Sequence, residues 1–444
     1  MTRMRAWIDF TAPAAVLLVL GCGGCSGGSS SAVARPASAA GTDACGSLAT
    51  CYSPAQIRAA YDIQPLTDRG IDGRGQTVVL PEIAEQKLSP GANAAAVSNI
   101  GQDLAGFDKL FDLPAPRLQV TTTFAPGASR WLASGEEMLD AEMIHAVAPA
   151  AAIRVLLFNA SAVSGPAGYI TALIDTVRFG AAHGEVISIS AAESERCFTG
   201  AEVARLNAAL QTAARRHVTV VAASGDIGPV GEPCSVPPAS NFTPVREVNL
   251  PASDPLVLAA GGTRLAASHK TGAYLGETAW GEPYGAPGTT DQASGGGFSH
   301  RFPRPSYQEG IPSIGTARGV PDVAADATGH TGMTLVISAG HGRSYIGDSG
   351  GTSGSTPFWA GIIALADQYA GHDLGFVNPA LYRIASTALY RTAFHDITTG
   401  NNTVEFPAQT FTGYQATRGW DPVTGLGSPD AQVLDPLLAR YASR

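Results

Sequence analysis

The chain has 444 residues, and 28 Lys and Arg against 37 Asp and Glu give a formal net charge of −9. Apolar residues make up 45% of the sequence, which suits a packed core and excludes an intrinsically disordered chain. The acidic balance is not offset by any Lys/Arg cluster, and this argues against nucleic-acid binding.

The N-terminal segment, residues 1–25, has the pattern of an export signal. Arg3 and Arg5 precede an apolar run of about ten residues, which is too short to span a bilayer. Small residues before Cys22 resemble a bacterial lipoprotein signal, in which that cysteine is lipidated. Cys25 is a second candidate, and a cleaved secretory signal is the alternative. We therefore expect an exported protein that is either extracellular or attached to the outer face of the cell membrane through a lipid alone.

A flexible tether rich in Ser, Ala and Gly is expected at residues 26–51. Four further cysteines allow three pairings in an exported protein, and the sequence does not choose among them. Proximity favours a short Cys45–Cys51 clip and a Cys197–Cys234 bridge between two loops. No CxxC pair has zinc-site spacing, and no HExxH motif occurs.

From residue 52 to residue 444, short apolar runs alternate with helical patterns. The runs are continuous, as expected for parallel strands buried on both faces. Candidate strands are 76–80, 153–158, 186–190, 218–223 and 256–260, and candidate helices are 136–147, 168–182, 200–215 and 357–370. This alternation predicts one α/β domain with a doubly wound, mostly parallel sheet flanked by helices. Catalytic residues are then expected beyond the carboxyl ends of the strands or at helix starts.

Two acidic stretches lie at such positions. Glu136 and Asp140 are four residues apart on a predicted helix, so they share one face. Neighbouring carboxyls that share a proton can act as a base and its orienting partner, although a solvated helix face would show the same spacing. Asp226 directly follows a buried strand, which is an active-site position, and a helix-capping aspartate is the alternative.

A stretch of small residues leads into Ser353 before an apolar helix, with Pro357 expected in the first turn of that helix. A serine at a helix N-terminus lies where backbone N–H groups and the dipole stabilise developing negative charge. GTSGSTP around Ser353 copies the subtilase nucleophile motif, whereas the overlapping GDSGG around Ser349 copies the chymotrypsin motif. The strand–helix alternation favours Ser353, because chymotrypsin folds are antiparallel barrels.

A subtilisin also needs a histidine in an HGTxVAG-like segment, and the chain has no such string. His145 lacks the glycine-rich context, and its spacing of five from Asp140 places it on a different helix face. With Glu136 and Asp140 as the candidate base pair, the chain resembles the sedolisin family of serine-carboxyl peptidases over roughly residues 53–436. The segments YSPAQIRAAYDI, GGGFSHRFPRPSYQ and RGVPDVAADA add to the resemblance, which implies a subtilisin-like fold.

The resemblance also implies a role for each acidic candidate. Ser353 would be the nucleophile, Glu136 its base, Asp140 the residue that orients Glu136, and Asp226 the acid of the oxyanion hole. Glu82 matches an additional acid that extends the hydrogen-bond chain. The implied protein is a monomeric endopeptidase or tripeptidyl-peptidase that acts on peptides or unfolded proteins. Its activity should be highest at roughly pH 3–5.

Near the C-terminus, FHDITTG and ATRGWDPVTGLGSP resemble the calcium site of the family. The implied ligands of one structural Ca²⁺ are Asp396, the carbonyls of Ile397, Thr417 and Gly419, and Asp421. Carboxylate and carbonyl oxygens are the ligands that this hard cation prefers. Thr417 stands where many members have glycine. A glycine-rich turn without metal is the alternative.

Two features depart from the family pattern. Only about thirty residues lie between the signal and the enzyme, which leaves no room for the family's usual proregion. After VISIS the family commonly has an aromatic residue and glycine, whereas this chain has Ala191 and Ala192, which changes the surroundings of Glu82. The rival hypotheses are an inactive, calcium-binding member that serves as an exported binding protein, and a histidine-dependent subtilase.

Overall fold

A computed structural model describes residues 51–84, 100–123, 135–160, 162–183, 186–234, 242–281, 292–340, 343–348, 350–406 and 409–442. The predicted signal segment, the tether before residue 51, Cys22, Cys45 and Ser349 lie outside the described residues. The elements, contacts and absences of contact given below are those of the described residues.

The elements alternate along the chain as the sequence predicts. The helices are α1 (Pro54–Ala60), α2 (Gln64–Thr67), α3 (Ile100–Phe111), α4 (Glu136–Val147), α5 (Gly165–His183), α6 (Gly200–Arg215), α7 (Thr352–Ala370), α8 (Asn378–Ala385), α9 (Tyr390–Ala393) and α10 (Ala431–Tyr441). The strands are β1 (Thr77–Ala84), β2 (Arg117–Thr122), β3 (Ala152–Asn159), β4 (Val186–Ile189), β5 (Glu193–Ser194), β6 (Val220–Ala223), β7 (Asn249–Leu250), β8 (Leu258–Ala267), β9 (Tyr274–Ala279), β10 (Gly297–Pro303), β11 (Ala317–Val320), β12 (Val323–Asp326), β13 (Thr334–Gly340), β14 (Arg343–Asp348), β15 (Phe394–His395), β16 (Val404–Phe406), β17 (Gln409–Phe411) and β18 (Ser428–Pro429).

The central sheet has the strand order β12-β8-β6-β4-β1-β3-β2. Every neighbouring pair in that order is parallel, and β9 adds one antiparallel strand on β8. In register, Val78 of β1 lies beside Ile153 of β3 and Val186 of β4. The predicted doubly wound, mostly parallel sheet is therefore confirmed.

Helices cover both faces of this sheet. Along β1, Val78 and Leu80 point into a core that includes side chains of α4 and α7, while Val79 points into a second core with α5 and α6. All three valine and leucine side chains are fully buried. A strand that is buried on both faces has to be apolar at every position, which explains the continuous runs in the sequence.

Helix α7 crosses the core, and its first 16 residues are buried. It begins at Thr352, so Pro357 lies inside the helix, and the expectation of a first-turn proline is wrong. A proline has no N–H for the carbonyl four residues earlier, which here belongs to Ser353. The Ser190 hydroxyl donates to that carbonyl at 3.2 Å. This hydrogen bond compensates for the missing helix bond, and the helix can therefore extend past the proline.

The predicted Cys197–Cys234 bridge is present, with a Cα–Cα distance of 5.4 Å. It joins the turn after β5 to the loop after β6, so it braces the region that follows the ends of two strands. The sulfur of Cys51 lies 3.1 Å from the Thr334 hydroxyl. Cys45, the predicted disulfide partner of Cys51, lies outside the described residues. In the described part of the chain, no helix is both long and apolar enough to cross a membrane.

Helices α4 and α7 pack closely against each other at Gly361. A Cβ placed on that glycine would lie 2.7 Å from Cγ1 of Val147 and 2.8 Å from its Cβ. Because Val147 ends α4 and its Cβ is fixed to the backbone, the helices would have to separate to admit a larger residue.

Gly361→Ala should therefore lower the free energy of unfolding by about 1–3 kcal/mol through overpacking, even though alanine favours a helix more than glycine does. Denaturant unfolding measures the change. Gly310→Ala is the control, since no atom lies within 4 Å of its added Cβ. Equal stabilities for the two variants would contradict the close approach of α4 and α7.

Candidate active site

Three strand ends and two helix starts meet at one edge of the sheet. Glu82 lies near the end of β1, Ser190 follows β4, and Asp226 lies three residues after β6. Glu136 is the first residue of α4, and Ser353 is the second residue of α7. The carboxyl edge of a parallel sheet is the expected position of a site in such a fold.

The Ser353 hydroxyl lies beside the Glu136 carboxyl, and both side chains are buried. Burial and the neighbouring Asp140 raise the pKa of Glu136 well above its ordinary value, while the nearby Ser353 hydroxyl lowers it. Gly135, with φ +94°, places Glu136 at the start of α4, where the helix dipole favours negative charge. The pair therefore joins a hydroxyl to a carboxyl that can take its proton.

Asp140 lies one turn further along α4 and is 1% exposed. Its Oδ1 accepts a hydrogen bond from the Ser190 hydroxyl at 2.9 Å, and it is also hydrogen-bonded to Glu82. Burial raises the pKa of Asp140 to about 8, against the lowering effect of both hydrogen bonds. The predicted shared face of Glu136 and Asp140 is thus a buried face, since all of α4 is buried.

Glu82 completes this group from the strand side. Burial, followed by the charges of Asp140, Glu136 and Glu137, raises the pKa of Glu82 well above its ordinary value. A protonated Glu82 therefore donates to Asp140, because the hydrogen bond between them raises the pKa of Glu82 and lowers that of Asp140. Its Oε1 is buried and has no hydrogen-bond partner among the described residues.

Glu137 is a fourth carboxyl of this cluster, and sequence reasoning missed it. It is 3% exposed, and its charge raises the pKa values of Glu82, Glu136 and Asp140. Glu137 is adjacent to Glu136 in the sequence and therefore lies on a different face of the helix. The four-residue spacing that selects Asp140 as a partner of Glu136 does not select Glu137. The signal was that the apolar residues of α4 fall on every side of the helix, which indicates a helix buried on all sides.

Ser190 was also missed, although it ends a predicted strand. Its hydroxyl has one hydrogen, which it shares between two acceptor oxygens, Oδ1 of Asp140 and the Ser353 carbonyl. Ser190 thereby links the carboxyl cluster to the helix that carries the serine.

Asp226 approaches Ser353 from the side of β6 and is half-buried. Its Oδ1 accepts hydrogen bonds from the Thr352 N–H at 2.7 Å and the Thr352 hydroxyl at 2.8 Å. Burial raises the pKa of Asp226, and the two Thr352 bonds lower it. With Oδ1 occupied by donors, a proton on this carboxyl belongs on Oδ2.

Gly351 has to be glycine at this site. Its φ is +86°, and a Cβ added there would lie 2.7 Å from Oδ2 of Asp226. The Asp226 Oδ2 atom therefore lies against the turn that leads into Ser353. This is where an acid could donate a hydrogen bond to an oxyanion formed at the serine.

His145, the alternative base, faces away from this group. Its buried Nε2 lies 3.0 Å from Oδ1 of Asp108 and 2.9 Å from the carbonyl of Pro114. Both partners come from the α3 side of α4, whereas Glu136 and Asp140 face α7 and the strand ends. The geometry therefore offers Ser353 a carboxyl and not this imidazole.

The predicted calcium ligands lie around one loop. Oδ1 of Asp396 accepts from the Gly419 N–H at 2.9 Å, and Oδ2 of Asp421 accepts from the Thr417 N–H at 3.0 Å. Both carboxylates raise the pKa of the neighbouring Tyr390. Among the described residues, no group of three or more His, Cys, Asp or Glu side chains converges as a metal site. A cation here would depend on backbone oxygens in addition to the two carboxylates.

Those backbone oxygens are available. No donor within the described residues reaches the carbonyls of Ile397, Thr417 or Gly419. Thr417 does not have a positive φ, so its replacement of glycine adds no backbone strain. Two carboxylates and three carbonyls supply the oxygen ligands that Ca²⁺ prefers, and water would complete the usual shell of about six to eight oxygens.

Known proteins share this arrangement of sequence and fold. The family model described as "Subtilase family" matches residues 128–409. Kumamolisin from Bacillus sp. (strain MN-32) is 34% identical over 407 residues, which cover 88% of this chain and 64% of kumamolisin. Tripeptidyl-peptidase 1 from Homo sapiens is 34% identical over 274 residues, which cover 56% of this chain and 42% of that protein.

A solved structure extends the comparison to three dimensions. Pseudomonas sedolisin, a serine-carboxyl proteinase complexed with two molecules of pseudo-iodotyrostatin, matches with a TM-score of 0.72 at 26% identity. The match covers 89% of this chain and 99% of the sedolisin chain.

The parallel sheet, its flanking helices and the serine at a helix start define a subtilisin-like α/β protein. The chain belongs to the subtilase family, within its sedolisin branch. It spans less than two thirds of the length of kumamolisin and of human tripeptidyl-peptidase 1.

The raised pKa values of Glu82, Glu136 and Asp140 make stability depend on pH. These groups are neutral in both states below about pH 3, so they cost no stability there. As the pH rises, the unfolded carboxyls ionise first, and the free energy of unfolding falls until the folded groups ionise, near pH 8 for Asp140. Thermal unfolding at fixed calcium should therefore show a melting temperature that decreases from pH 4 to pH 8.

Glu82→Gln, which stays neutral, should flatten this decrease, whereas the same change at the exposed Glu309 should not. A wild-type melting temperature that rises over the same pH range would contradict the burial of neutral carboxyls.

Proposed function

We propose that the protein is an exported serine-carboxyl peptidase that hydrolyses peptide bonds at acidic pH. One observation carries the proposal: the Ser353 hydroxyl lies beside the buried Glu136 carboxyl, while Asp226 lies against the turn before Ser353. A nucleophile, its base and an oxyanion acid are thus available around one helix start.

In the first step, Ser353 Oγ attacks the carbonyl carbon of the peptide bond, and its proton passes to an ionised Glu136. Negative charge then develops on the carbonyl oxygen. Protonated Asp226 donates a hydrogen bond to that oxyanion from Oδ2, and the first N–H groups of α7 add the field of a helix N-terminus. Asp140 holds the Glu136 side of the cluster in place through its contacts with Ser190 and Glu82.

Collapse of the tetrahedral intermediate breaks the C–N bond, and Glu136 returns the proton to the departing amine. A water molecule then attacks the acyl-enzyme while Glu136 accepts one of its protons. Release of the carboxylic acid restores the Ser353 hydroxyl. Glu136 acts as base and then acid in each half-reaction, which is the general scheme of covalent catalysis with a positioned base.

The substrates in this proposal are peptides or unfolded proteins outside the cytoplasm. The N-terminal pattern, with Cys22 as the candidate for lipidation, supports export. The Cys197–Cys234 bridge supports it independently, because disulfides persist in oxidising compartments.

Activity against a peptide library should follow a bell-shaped pH profile. Glu136 has to be ionised and Asp226 protonated, so the acid limb reports the base cluster and the alkaline limb reports Asp226, within a coupled network. Because burial raises the pKa of both groups, we expect the maximum near pH 5, toward the upper end of the range that ordinary carboxyls would give. Hydrolysis rates from pH 2 to pH 8 measure the profile.

Matched variants make this profile decisive. Ser353→Ala should abolish hydrolysis and fluorophosphonate labelling without unfolding the protein, whereas Ser349→Ala should retain both. Asp226→Asn keeps a donor but cannot ionise, so its alkaline limb should move or flatten.

A wild-type rate that climbs through pH 6 to a plateau above pH 7 would instead indicate a histidine base. A folded wild type without labelling or hydrolysis would favour the inactive, calcium-binding protein.

We further propose that Asp396, Asp421 and the carbonyls of Ile397, Thr417 and Gly419 hold a structural Ca²⁺. Excess chelator should lower the melting temperature, because it removes an ion that binds only the folded state. Calcium should restore the melting temperature. Asp396→Asn should start lower and show little further loss with chelator. An unchanged wild-type melting temperature in chelator would contradict the site.

A further inference from the structure

A second carboxyl, from Glu232, contacts the backbone of the proposed oxyanion acid. Its Oε1 accepts a hydrogen bond from the Asp226 N–H at 2.7 Å. The two residues are six apart in the loop after β6, so the loop folds back on its own start. The side chain of Asp226 points to Thr352, while its backbone is held by Glu232.

Glu232 is itself fixed by Asn249. The Glu232 N–H donates to Oδ1 of Asn249 at 2.7 Å, and Nδ2 of Asn249 donates to the Ser224 carbonyl at 2.8 Å. Asn249 is the first residue of β7 and is 1% exposed. These bonds form a clamp that closes over the backbone between Ser224 and Asp226.

Gly225 shows how tightly this clamp fits. Its φ is +111°, and an added Cβ would lie 2.2 Å from Nδ2 of Asn249 and 3.3 Å from Oε1 of Glu232. Its N–H donates to the Thr352 hydroxyl at 3.1 Å. The backbone that carries Asp226 is therefore held from two sides, by Thr352 of α7 and by the Glu232–Asn249 clamp.

The surroundings of Glu232 are acidic. Burial and the charge of Asp226 raise the pKa of Glu232 to about 8, and the Asp226 N–H lowers it. Glu193 of β5 lies on the same side, since Glu193 and Glu232 both raise the pKa of Tyr169 of α5.

Three more charged groups lie around the two carboxyls. On the Asp226 side, Glu136 of α4 interacts with Asp226. On the loop side, Glu247 accepts from the Ser194 hydroxyl and lies 3.9 Å from Arg196, and the Ser194 N–H donates to the Glu232 carbonyl. Glu232 is therefore neutral in the acidic range, with Oε1 left to accept.

We propose that Glu232 is a positioning residue that holds the Asp226 backbone so that Oδ2 stays against the turn before Ser353. It acts through the hydrogen bond that Oε1 accepts from the Asp226 N–H and not through a charge, so glutamine can replace it and alanine cannot. The catalytic consequence rests on the proposed function, whereas the positioning of Asp226 is measurable without turnover.

Two readouts on the full chain test this proposal at pH 4–5. Hydrogen exchange of a peptide covering residues 222–230 reports the Asp226 N–H directly. Glu232→Ala should speed exchange of that amide by about tenfold or more, and Glu232→Gln should leave it protected.

In steady-state kinetics, Glu232→Ala should lower kcat by roughly 10- to 100-fold with little change in KM, since misplacement of a catalytic group costs rate. Glu232→Gln should stay within about threefold of wild type, with its pH limbs in place.

Glu247→Ala is the matched control, because it removes a carboxyl from the same loop region without touching Asp226. It should leave both readouts near wild type. Equal losses in Glu232→Ala and Glu247→Ala would overturn the proposal in favour of general loosening of the loop. A Glu232→Gln variant as impaired as Glu232→Ala would overturn it in favour of an ionised role, and a loss confined to KM would indicate substrate contact instead.

Failure of the proposed function gives a different pattern. A wild type that does not hydrolyse peptides, together with faster Asp226 exchange in Glu232→Ala only, would reject the peptidase and support the positioning role. Unchanged exchange in Glu232→Ala would reject the positioning role whatever the activity.

Discussion

The burial of several carboxyl groups around one serine is the constraint on which the site depends. Glu82, Glu136, Glu137 and Asp140 are each at most 8% exposed, and they lie close enough to raise one another's pKa values. Four ionised carboxylates in such a volume would repel strongly and lack hydration. The cluster must therefore hold protons, and it can carry only a small negative charge.

The fold places that limited charge next to the hydroxyl of Ser353. Glu136 lies at the N-terminus of α4 and beside the Ser353 hydroxyl, and both effects favour its ionised form. Glu82 lies on a strand, without a helix dipole, and the hydrogen bond with Asp140 raises its pKa. A proton is therefore favoured on Glu82, and the negative charge is favoured on Glu136.

Packing of α4 on α7 converts this electrostatic arrangement into a fixed geometry. Gly361 lets the helices approach, and Ser190 compensates for the hydrogen bond that Pro357 removes at Ser353. The Ser190 hydroxyl also reaches Asp140. The same side chain thus supports both the helix that carries the serine and the carboxyl cluster that faces it.

The sequence predicted the elements that depend on local pattern. The predicted helix 136–147 coincides with α4, and the strand run 153–158 lies within β3, because continuous burial leaves a clear apolar signature. The run 76–80 stopped short of the end of β1, since Pro81 and Glu82 interrupt that signature. Glu82 therefore entered the analysis only through the family resemblance.

Contacts between distant segments could not be read in the same way. Ser190 meets Ser353 across 163 residues, and Glu232 reaches Asp226 through a loop with no periodic pattern. Ser190 carried a weak signal, because a polar residue at the carboxyl end of a buried strand is a site position in this fold class. Glu232 carried none, since loop conformation depends on tertiary contacts such as those of Asn249.

Glu136 and Asp226, the carboxyl groups on either side of Ser353, influence each other's protonation. Ionisation of one favours protonation of the other, which is the relation that peptide hydrolysis requires. The charge of Asp226 raises the pKa of Glu136, so an ionised Asp226 would hold the proton on Glu136. The interaction is mutual, and an ionised Glu136 equally favours a protonated Asp226. With one negative charge shared between them, the pair exists mainly in opposite protonation states. One of those states, with Glu136 as acceptor and Asp226 as donor, suits attack by Ser353, and the nearby Ser353 hydroxyl, which lowers the pKa of Glu136, stabilises that state relative to the other.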